Sequence, residues 1–375
     1  MPPLHDILVV RLTSLGDVLM AIPAVKALKE ALPGSRISWL VEGSVAELLR
    51  HQSFIDEVIQ FPRDRIMRSL GEGRALQTLR HLRTFFRHLR SRRYDVLVDF
   101  HGIMKSALLG FAARAEKRIG FGRMFAKEGS WLAYDERVNG VEKGVHKVER
   151  NMLLVRRLGV NGAIPHVELT APPDAEGYVA GLLAEHNIRA PMIAVFPFCS
   201  KGSAFKRWPL ADYAELLKLM RDAIFATALI LWGPGEEEEA RELRDMAGTG
   251  TVLPASLGVA QLCALLKKAA MYVGGDTGVM HLAVFSGTPV LAIFGPTDPR
   301  VNAPFGSMHR LVRQELPCSP CRDKSCKERI CLQSLKPHDV FEEVKAMWNS
   351  IREQGPPACL DTHGQAGSRV KTSDQ

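Results

Sequence analysis

Short apolar runs alternate with longer amphipathic stretches along most of the chain. The short runs, rich in Val, Ile and Leu, are typical of strands buried on both faces, and the stretches between them have helical periodicity. This alternation predicts an α/β fold with parallel sheets. The predicted strands are residues 7–10, 37–41, 58–61, 96–100 and 118–121 in the first half, and 193–196, 229–232, 251–253, 271–273 and 290–294 in the second. A chain of 375 residues is too long for one typical core, and residues 159–173, which contain Pro and Gly, are the predicted linker between two Rossmann-like domains.

A glycine-rich turn at residues 274–278 predicts a phosphate site. Gly274 and Gly275 end a predicted strand, and Thr277 and Gly278 open a helix. The free N–H groups and the positive dipole end of such a helix suit a diphosphate. Asp276 is expected to cap the helix or to accept hydrogen bonds from a ribose or sugar hydroxyl. His281, one turn further along, is within reach of a phosphate oxygen in this interpretation. In the alternative interpretation, Asp276 is only an N-cap and His281 is a packed helix residue.

A second polar turn, residues 11–17, joins the first predicted strand to a predicted helix at residues 18–32. Asp17 lies where the carboxyl end of the strand meets the helix, which is the edge where open α/β sheets bind ligands. Ser14 and Asp17 also fit a capping box, in which they would satisfy the first N–H groups of the helix. A carboxylate used in that way has a lowered pKa and is a weaker base. From the pattern alone, both interpretations of Asp17 stand.

Five segments in the same order resemble glycosyltransferase family 9, the ADP-heptose:lipopolysaccharide heptosyltransferases. They are residues 10–19, 94–106, 206–209, 232–236 and 275–283. The family often has Gln where this chain has His101. The resemblance implies the GT-B architecture, in which two Rossmann-like domains with parallel sheets face each other across a cleft. It implies an acceptor domain at residues 1–165, an ADP-sugar domain at residues 174–337, and a helix at residues 338–354 that packs back on the first domain.

The resemblance also implies an inverting transfer of heptose from ADP-heptose to the inner core of lipopolysaccharide. Asp17 is then the general base, and closure of the two domains brings it to the donor. The implied acceptor-binding residues are Arg11, Thr13, Ser14, His101 and Lys105. The implied donor-binding residues are Ser200, Ser203, Lys206, Glu236, Leu257, Asp276, Thr277, Gly278 and His281. Related family 9 chemistry with another acceptor or nucleotide sugar is the alternative, since resemblance fixes chemistry better than substrate.

Catalysis is expected to need no metal cofactor. Sugar-nucleotide enzymes of the other common architecture hold the diphosphate through a metal bound by Asp-x-Asp, and no two aspartates in this chain are two residues apart. Protein groups must then meet the diphosphate charge. Lys206 is the first candidate, and the helix start at Thr277 and Gly278 is the second.

The charge distribution points to an anionic partner. The formal net charge is +8, and residues 63–93 contain ten arginines against Asp64 and Glu72. Four of the arginines follow helical spacing beside an apolar stripe, a pattern suited to an anionic membrane surface or lipid substrate. They are Arg80, Arg83, Arg87 and Arg90, and the stripe is Leu79, Leu82, Phe86 and Leu89. The alternative is an ordinary amphipathic helix whose stripe is core.

A remote alternative is a basic nucleic-acid-binding protein with a Cys-rich metal knuckle on a Rossmann scaffold, which only the net charge and the cysteine cluster described below support. The basic region has few aromatics and no recognition motif, so we expect no nucleic-acid partner. No run is long and apolar enough to span a bilayer, and the first six residues lack the features of a signal peptide. We therefore expect a cytoplasmic protein associated peripherally with the cytoplasmic face of the inner membrane.

Four cysteines lie within 14 residues in a C-x2-C-x4-C-x4-C arrangement: Cys318, Cys321, Cys326 and Cys331. In the cytoplasm such a cluster favours a metal over disulfides, and the spacing suits a structural zinc or an iron–sulfur cluster. Reduced, packed thiols are the alternative. Residues 355–375 mix Pro, Gly, Ser and charge without periodicity and are predicted to be disordered.

Overall fold

A computed structural model describes residues 4–140, 142–188 and 191–354. The chain divides into two compact units, residues 1–170 and 171–375. Each unit contains one six-stranded parallel sheet with helices, so the predicted α/β fold with two sheet-containing units is confirmed. The boundary between the two units falls within the predicted linker, residues 159–173. The predicted domain limits at residues 165 and 174, and the predicted cleft between the domains, stay predictions.

The sheet of the first unit has the strand order β3-β2-β1-β4-β5-β6. Its strands are β1 (Asp6–Val10), β2 (Arg36–Glu42), β3 (Glu57–Phe61), β4 (Arg93–Asp99), β5 (Arg114–Phe121) and β6 (Glu136–Val138). Its helices are α1 (Leu15–Leu19), α2 (Ile22–Ala31), α3 (Val45–Arg50), α4 (Arg63–Gly71), α5 (Ala75–Leu89), α6 (Met104–Ala112) and α7 (Lys147–Arg156), with a 3-10 turn at Ser130–Ala133. The order changes direction between β1 and β4, and the loops that follow these two strands therefore meet at the carboxyl edge of the sheet.

The sheet of the second unit has the order β12-β11-β10-β7-β8-β9. Its strands are β7 (Met192–Phe196), β8 (Thr227–Ile230), β9 (Thr251–Val252), β10 (Met271–Gly275), β11 (Val290–Phe294) and β12 (Arg310–Arg313). Its helices are α8 (Pro173–Glu185), α9 (Leu210–Ala223), α10 (Glu237–Ala247), α11 (Val259–Lys268), α12 (Gly278–Phe285), α13 (Pro299–Asn302), α14 (Ile330–Gln333) and α15 (Pro337–Gln354), with a 3-10 turn at Lys201–Lys206. Here the order changes direction between β10 and β7, next to the glycine-rich turn.

The structure corrects the single helix predicted at residues 18–32, which forms two helices, α1 and α2. Pro23 lies in the first turn of α2. Proline lacks an N–H, so it fits the first turn of a helix, where N–H groups have no partner within the helix, better than the interior of a continuous helix.

The last described helix, α15, belongs to the second unit, where it contacts α9, β11 and β12. That it also packs on the first domain stays a prediction. The predicted disordered tail, residues 355–375, lies outside the described residues. Within the part of the chain that the structure describes, no helix is both long and apolar enough to cross a membrane.

Candidate functional site

Charged side chains gather where β1 ends and α1 begins in the first unit. Asp17 lies between two cations, with Nη2 of Arg11 2.7 Å from its Oδ2 and Nζ of Lys147 2.7 Å from its Oδ1. The hydroxyl of Ser14 donates to Oδ2 at 3.1 Å. Ser14 precedes α1 but makes no side-chain capping hydrogen bond, so the capping-box interpretation is wrong. The carboxylate instead serves as the centre of an ion-pair cluster.

These cations determine the protonation of Asp17. Burial raises the pKa of this carboxyl, but the charges of Arg11 and Lys147, together with hydrogen bonds from Lys147 and Ser14, lower it well below its usual range. Asp17 is therefore ionised at neutral pH and able to accept a proton. The same two charges make it a weaker base than an unpaired carboxylate.

The loop after β4 lies beside this cluster. Nδ1 of His101 accepts a hydrogen bond from the N–H of Leu12 at 3.3 Å, and Nη1 of Arg11 donates to the carbonyl of Phe100 at 2.6 Å. Burial and the charge of Arg11 lower the pKa of His101 to about 4. The neutral ring accepts at Nδ1, so its proton is on Nε2, which makes His101 a hydrogen-bond donor there.

A buried carboxylate holds this loop in place. Oδ1 of Asp99 accepts from the backbone N–H groups of His101 and Gly102, at 2.7 Å and 3.1 Å. Its Oδ2 accepts from the hydroxyl of Tyr134 at 2.8 Å. Asp99 and Tyr134 therefore position His101 without themselves being exposed.

The remaining acceptor-side candidates are placed differently. The ammonium of Lys105 pairs with the buried carboxylate of Glu42 and lies 4.9 Å from the ring centroid of Phe61. Thr13 is exposed. The structure thus brings Arg11, Asp17 and the His101 loop together, and it engages Lys105 with Glu42.

In the second unit, the start of α12 carries the predicted phosphate site. Thr277 is its N-cap, with a hydroxyl that accepts the N–H of Met280 at 3.3 Å, and Gly278 is its first residue. Asp276 does not cap the helix, so the prediction that it is the N-cap of α12 is wrong. Instead, its Oδ2 lies 2.8 Å from Nζ of Lys206. A lysine and a helix start therefore lie next to each other, as an anion site requires.

Close packing fixes the backbone that leads into α12. A Cβ on Gly274 would lie 2.4 Å from the hydroxyl oxygen of Tyr272 and 2.6 Å from the carbonyl oxygen of Phe196. A Cβ on Gly275 would meet nothing closer than 3.8 Å. Glycine is thus needed at 274 for space. His281 is buried within α12, as expected of the packed-residue alternative.

A second polar group follows β8. Oε2 of Glu236 accepts from the N–H of Gly233 at 2.8 Å, and burial raises the pKa of Glu236. One turn later, Glu239 accepts two hydrogen bonds from the guanidinium of Arg207, at 3.1 Å and 2.9 Å. Arg207 follows Lys206 directly, so this pairing attaches the lysine-bearing loop to α10.

The other donor-side candidates have simpler surroundings. Oγ of Ser200 lies 3.2 Å from Oγ of Ser203, next to the loop that carries Lys206. Leu257 is buried, which agrees with a core role as well as with a contact to adenine. Their ligand-binding roles stay predictions.

The four clustered cysteines are the predicted metal ligands. The described residues contain no group of three or more His, Cys, Asp or Glu side chains placed to hold a metal ion. Cys318, Cys321 and Cys326 are exposed and Cys331 is buried. Burial raises the pKa of Cys331, and the charges of the other three cysteines raise it further. The predicted structural zinc gains no support from this geometry and stays untested.

Sequence reasoning missed Lys147 and the role of Arg207. Lys147 begins α7 and reaches Asp17 across a separation of 130 residues. No local spacing links the two, so only the fold brings them together. Arg207 was part of a matched segment, but its partner Glu239 stands in a run of four glutamates that resembles a solvated helix face.

The chain is similar to several known proteins. Residues 82–331, two thirds of the chain, match the profile of Glycosyltransferase family 9 (heptosyltransferase). Lipopolysaccharide heptosyltransferase 1 of Pseudomonas aeruginosa is 28% identical over 361 residues, which cover 91% of this chain and 97% of the relative. Lipopolysaccharide heptosyltransferase 2 of Escherichia coli is 26% identical over 356 residues, which cover 91% and 98%.

A solved structure has the same fold. The structure of E. coli heptosyltransferase WaaC with ADP matches with a TM-score of 0.72 and 23% identity, and the match covers 92% of this chain and 100% of that one.

Proposed function

The chain belongs to glycosyltransferase family 9, and we propose that it transfers a heptose from ADP-heptose to the inner core of lipopolysaccharide. It is a glycosyltransferase, and its curated relatives are lipopolysaccharide heptosyltransferases. The observation that carries the mechanism is the ionised carboxylate of Asp17 at the carboxyl edge of the first sheet. An inverting transfer needs a base at the acceptor hydroxyl, and this carboxylate is placed where α/β sheets bind ligands.

In the proposed reaction, an acceptor hydroxyl attacks the anomeric carbon of the heptose while ADP leaves from the opposite face. The bond from carbon to the acceptor oxygen forms, the bond to the diphosphate oxygen breaks, and the configuration inverts. Asp17 takes the hydroxyl proton. His101, with its proton on Nε2, is available to donate a hydrogen bond to an acceptor oxygen.

The ion pairs of Asp17 suggest how an anionic acceptor takes part. An acidic group of the acceptor that bonds to Arg11 or Lys147 draws positive charge away from Asp17. The carboxylate then becomes more basic when the acceptor is in place. Asp17 is thus expected to be most basic in the complex with the acceptor and a weaker base before the acceptor binds.

We assign the donor diphosphate to Lys206 and the start of α12. Lys206 now pairs with Asp276, and an arriving diphosphate is expected to attract the ammonium more strongly because it carries more charge. Asp276 is then free to accept from a hydroxyl of the nucleotide or sugar. Lys206 and the helix dipole stabilise the negative charge that develops on the leaving ADP without a metal cofactor.

We propose that the protein is attached peripherally to the cytoplasmic face of the inner membrane, because its proposed acceptor is a membrane glycolipid. Heptose transfer does not involve nucleic acid, so the alternative of a basic nucleic-acid-binding protein is not favoured.

The direct test is transfer by the purified protein from ADP-heptose to a set of truncated lipopolysaccharides that each lack one more core sugar. We expect mass spectrometry to detect one added heptose on one member of the set. Donor binding measured in parallel by calorimetry separates two failures. Binding of ADP-heptose without transfer to any member would refute the acceptor class, and absence of binding would refute the donor.

A further inference from the structure

The hairpin formed by α4 and α5 buries polar side chains between its helices and exposes large apolar ones. Its two helices meet at a pair of hydroxyls, Oγ of Ser69 and Oγ1 of Thr78, which are 2.6 Å apart and almost fully buried. Large apolar side chains of the same two helices face water instead. Their exposed fractions are 59% for Met67, 53% for Leu70, 75% for Leu76 and 62% for Leu79. A hairpin stabilised only by its own core would reverse this arrangement.

The other end of α5 is firmly anchored. Phe85 and Leu89 are buried in the core of the first unit, and the ring of Phe85 packs edge-on against Phe61 with centroids 5.0 Å apart. The predicted apolar stripe therefore divides along the helix, with Leu89 in the core and Leu79 in water. The anchored end holds the hairpin to the sheet, and the far end presents unpartnered apolar side chains.

The same two helices also carry exposed arginines. Arg80, Arg83, Arg87 and Arg90 are exposed on or at the end of α5. On α4, three more arginines, Arg63, Arg65 and Arg68, line a cavity of about 350 Å³ and outnumber the one acidic residue there, Asp64. Guanidinium groups bind phosphates with paired hydrogen bonds, so the cavity suits an anionic headgroup.

We propose that the α4–α5 hairpin docks the protein on an anionic lipid bilayer, with Met67, Leu70, Leu76 and Leu79 entering the interface and the arginines binding lipid phosphates. A basic helix with exposed apolar side chains lies in the plane of the interface and buries its apolar face there. Nucleic acid would pair with the arginines but would leave the four apolar side chains in water. A bilayer supplies anionic phosphates and apolar chains in one partner, which is why the charge and the exposure together favour it. This inference does not depend on the donor or on heptose transfer.

The test is sedimentation of the full chain with vesicles of phosphatidylcholine alone or mixed with phosphatidylglycerol. The apolar variant changes Met67, Leu70, Leu76 and Leu79 to Gln, and the charge variant changes Arg80, Arg83, Arg87 and Arg90 to Gln. A control variant changes three exposed apolar residues of the second unit to Gln: Tyr178, Phe225 and Ile330. Circular dichroism and ADP binding check that each variant is folded.

We expect the wild type and the control to bind anionic vesicles and to leave neutral ones in solution. The apolar variant should bind at least about 100-fold more weakly, because each methylene moved into hydrocarbon strengthens partitioning about fourfold. The charge variant should weaken by a similar factor, since each arginine near an anionic surface contributes about fivefold. Its effect should fade between ionic strengths of about 0.01 M and about 0.15 M, where the screening length falls from about 30 Å to about 8 Å.

Insertion has its own probe in Leu76→Trp. Its added fluorescence should shift to the blue with anionic vesicles and be quenched by lipids that carry a quencher on the acyl chain. Equal vesicle binding by the wild type and the apolar variant, or an unquenched tryptophan, would overturn the proposal. So would a dimer of the wild type that the apolar variant loses, because the hairpin would then be a contact between copies of the chain.

Discussion

Replacing Asp17 by alanine tests the proposed base most directly. We expect the transfer rate to fall about 100- to 10,000-fold, the usual contribution of a positioned general base. ADP binding should stay nearly unchanged, because the partners of Asp17 described above, Arg11, Ser14 and Lys147, all lie in the first unit. Initial rates with a truncated lipopolysaccharide and calorimetry with ADP measure the two quantities.

The same substitution should also lower stability by a moderate amount. Removing one partner costs about 3–5 kcal/mol in a buried ion pair and about 0–1 kcal/mol in an exposed one. Asp17 and its two cations are largely but not fully buried, so we expect the free energy of unfolding to fall by about 1–3 kcal/mol. The folded-state pKa of Asp17 is lowered, so its contribution is fully present above the unfolded pKa of about 3.9 and is lost as the pH falls towards the folded pKa. The difference between wild type and variant in urea unfolding should therefore be constant from about pH 5 to 8 and shrink only in acid.

A matched control is Asp56→Ala. Asp56 accepts from Nζ of Lys29 at 2.9 Å and from the N–H of Ile37 at 2.7 Å, and it precedes β3 at the amino edge of the same sheet. It should lose a similar amount of stability and keep full transfer activity. More than about a tenth of the wild-type rate in folded Asp17→Ala would refute the assignment, since a general base contributes at least about 100-fold. An equal rate loss in the control would show that stability alone explains the effect.

Two further predictions concern the second unit. Lys206→Ala and Asp276→Ala should each weaken ADP-heptose binding about tenfold or more in calorimetry, because hydrogen bonds to charged groups contribute about 1.5–3 kcal/mol, and unchanged affinity in both variants would rule out the proposed donor site. Gly274→Ala should lower the free energy of unfolding by about 1–3 kcal/mol through overpacking against Tyr272 and Phe196. Gly275→Ala, whose Cβ would make only ordinary van der Waals contacts, should change it by less than about 0.5 kcal/mol, and equal effects would contradict the packing argument.

The central strands could be predicted from the sequence, but two edge strands could not. Strands such as β1 and β11 are covered on both faces, so nearly every residue is apolar and the run stands out. β6 and β12 lie at the ends of their sheets. β6 has one buried residue, Val138, and β12 is four residues long with an arginine at each end. Such strands lack the continuous apolar run by which the others were recognised.

The candidate site divides in the same way between local and long-range features. The cap of α12 follows from residues next to one another in the sequence, and its position was predicted to within one residue. The partner of Asp276 is Lys206, 70 residues away in the sequence. One partner of Asp17 is Lys147, 130 residues away. A capping box was a reasonable interpretation of Ser14 and Asp17 from spacing. The carboxylate pairs with Arg11 and Lys147 instead, and Lys147 lies too far away in the sequence for local spacing to reveal it.

Lys147, which no local pattern revealed, offers a test of how the base is controlled. In Lys147→Met the carboxylate of Asp17 loses one of its two cations, so its pKa should rise. Transfer requires ionised Asp17, so the acid limb of the pH profile of kcat/KM should move to higher pH in the variant. The KM for an anionic acceptor should rise as well, because the proposed contact with its acidic group is gone, while ADP binding stays the same.

Lys26→Met is the matched control for this shift. Nζ of Lys26 donates to the carbonyl of His166 in the same unit and makes no described contact with Asp17. Its pH profile and acceptor KM should equal those of the wild type. If the acid limb stays in place in folded Lys147→Met, then the ionisation of Asp17 does not limit the reaction, and a different group must accept the proton. If the limb moves but the acceptor KM does not, Lys147 adjusts the base without touching the acceptor, and Arg11 is left as the cation that an acidic acceptor group must draw away.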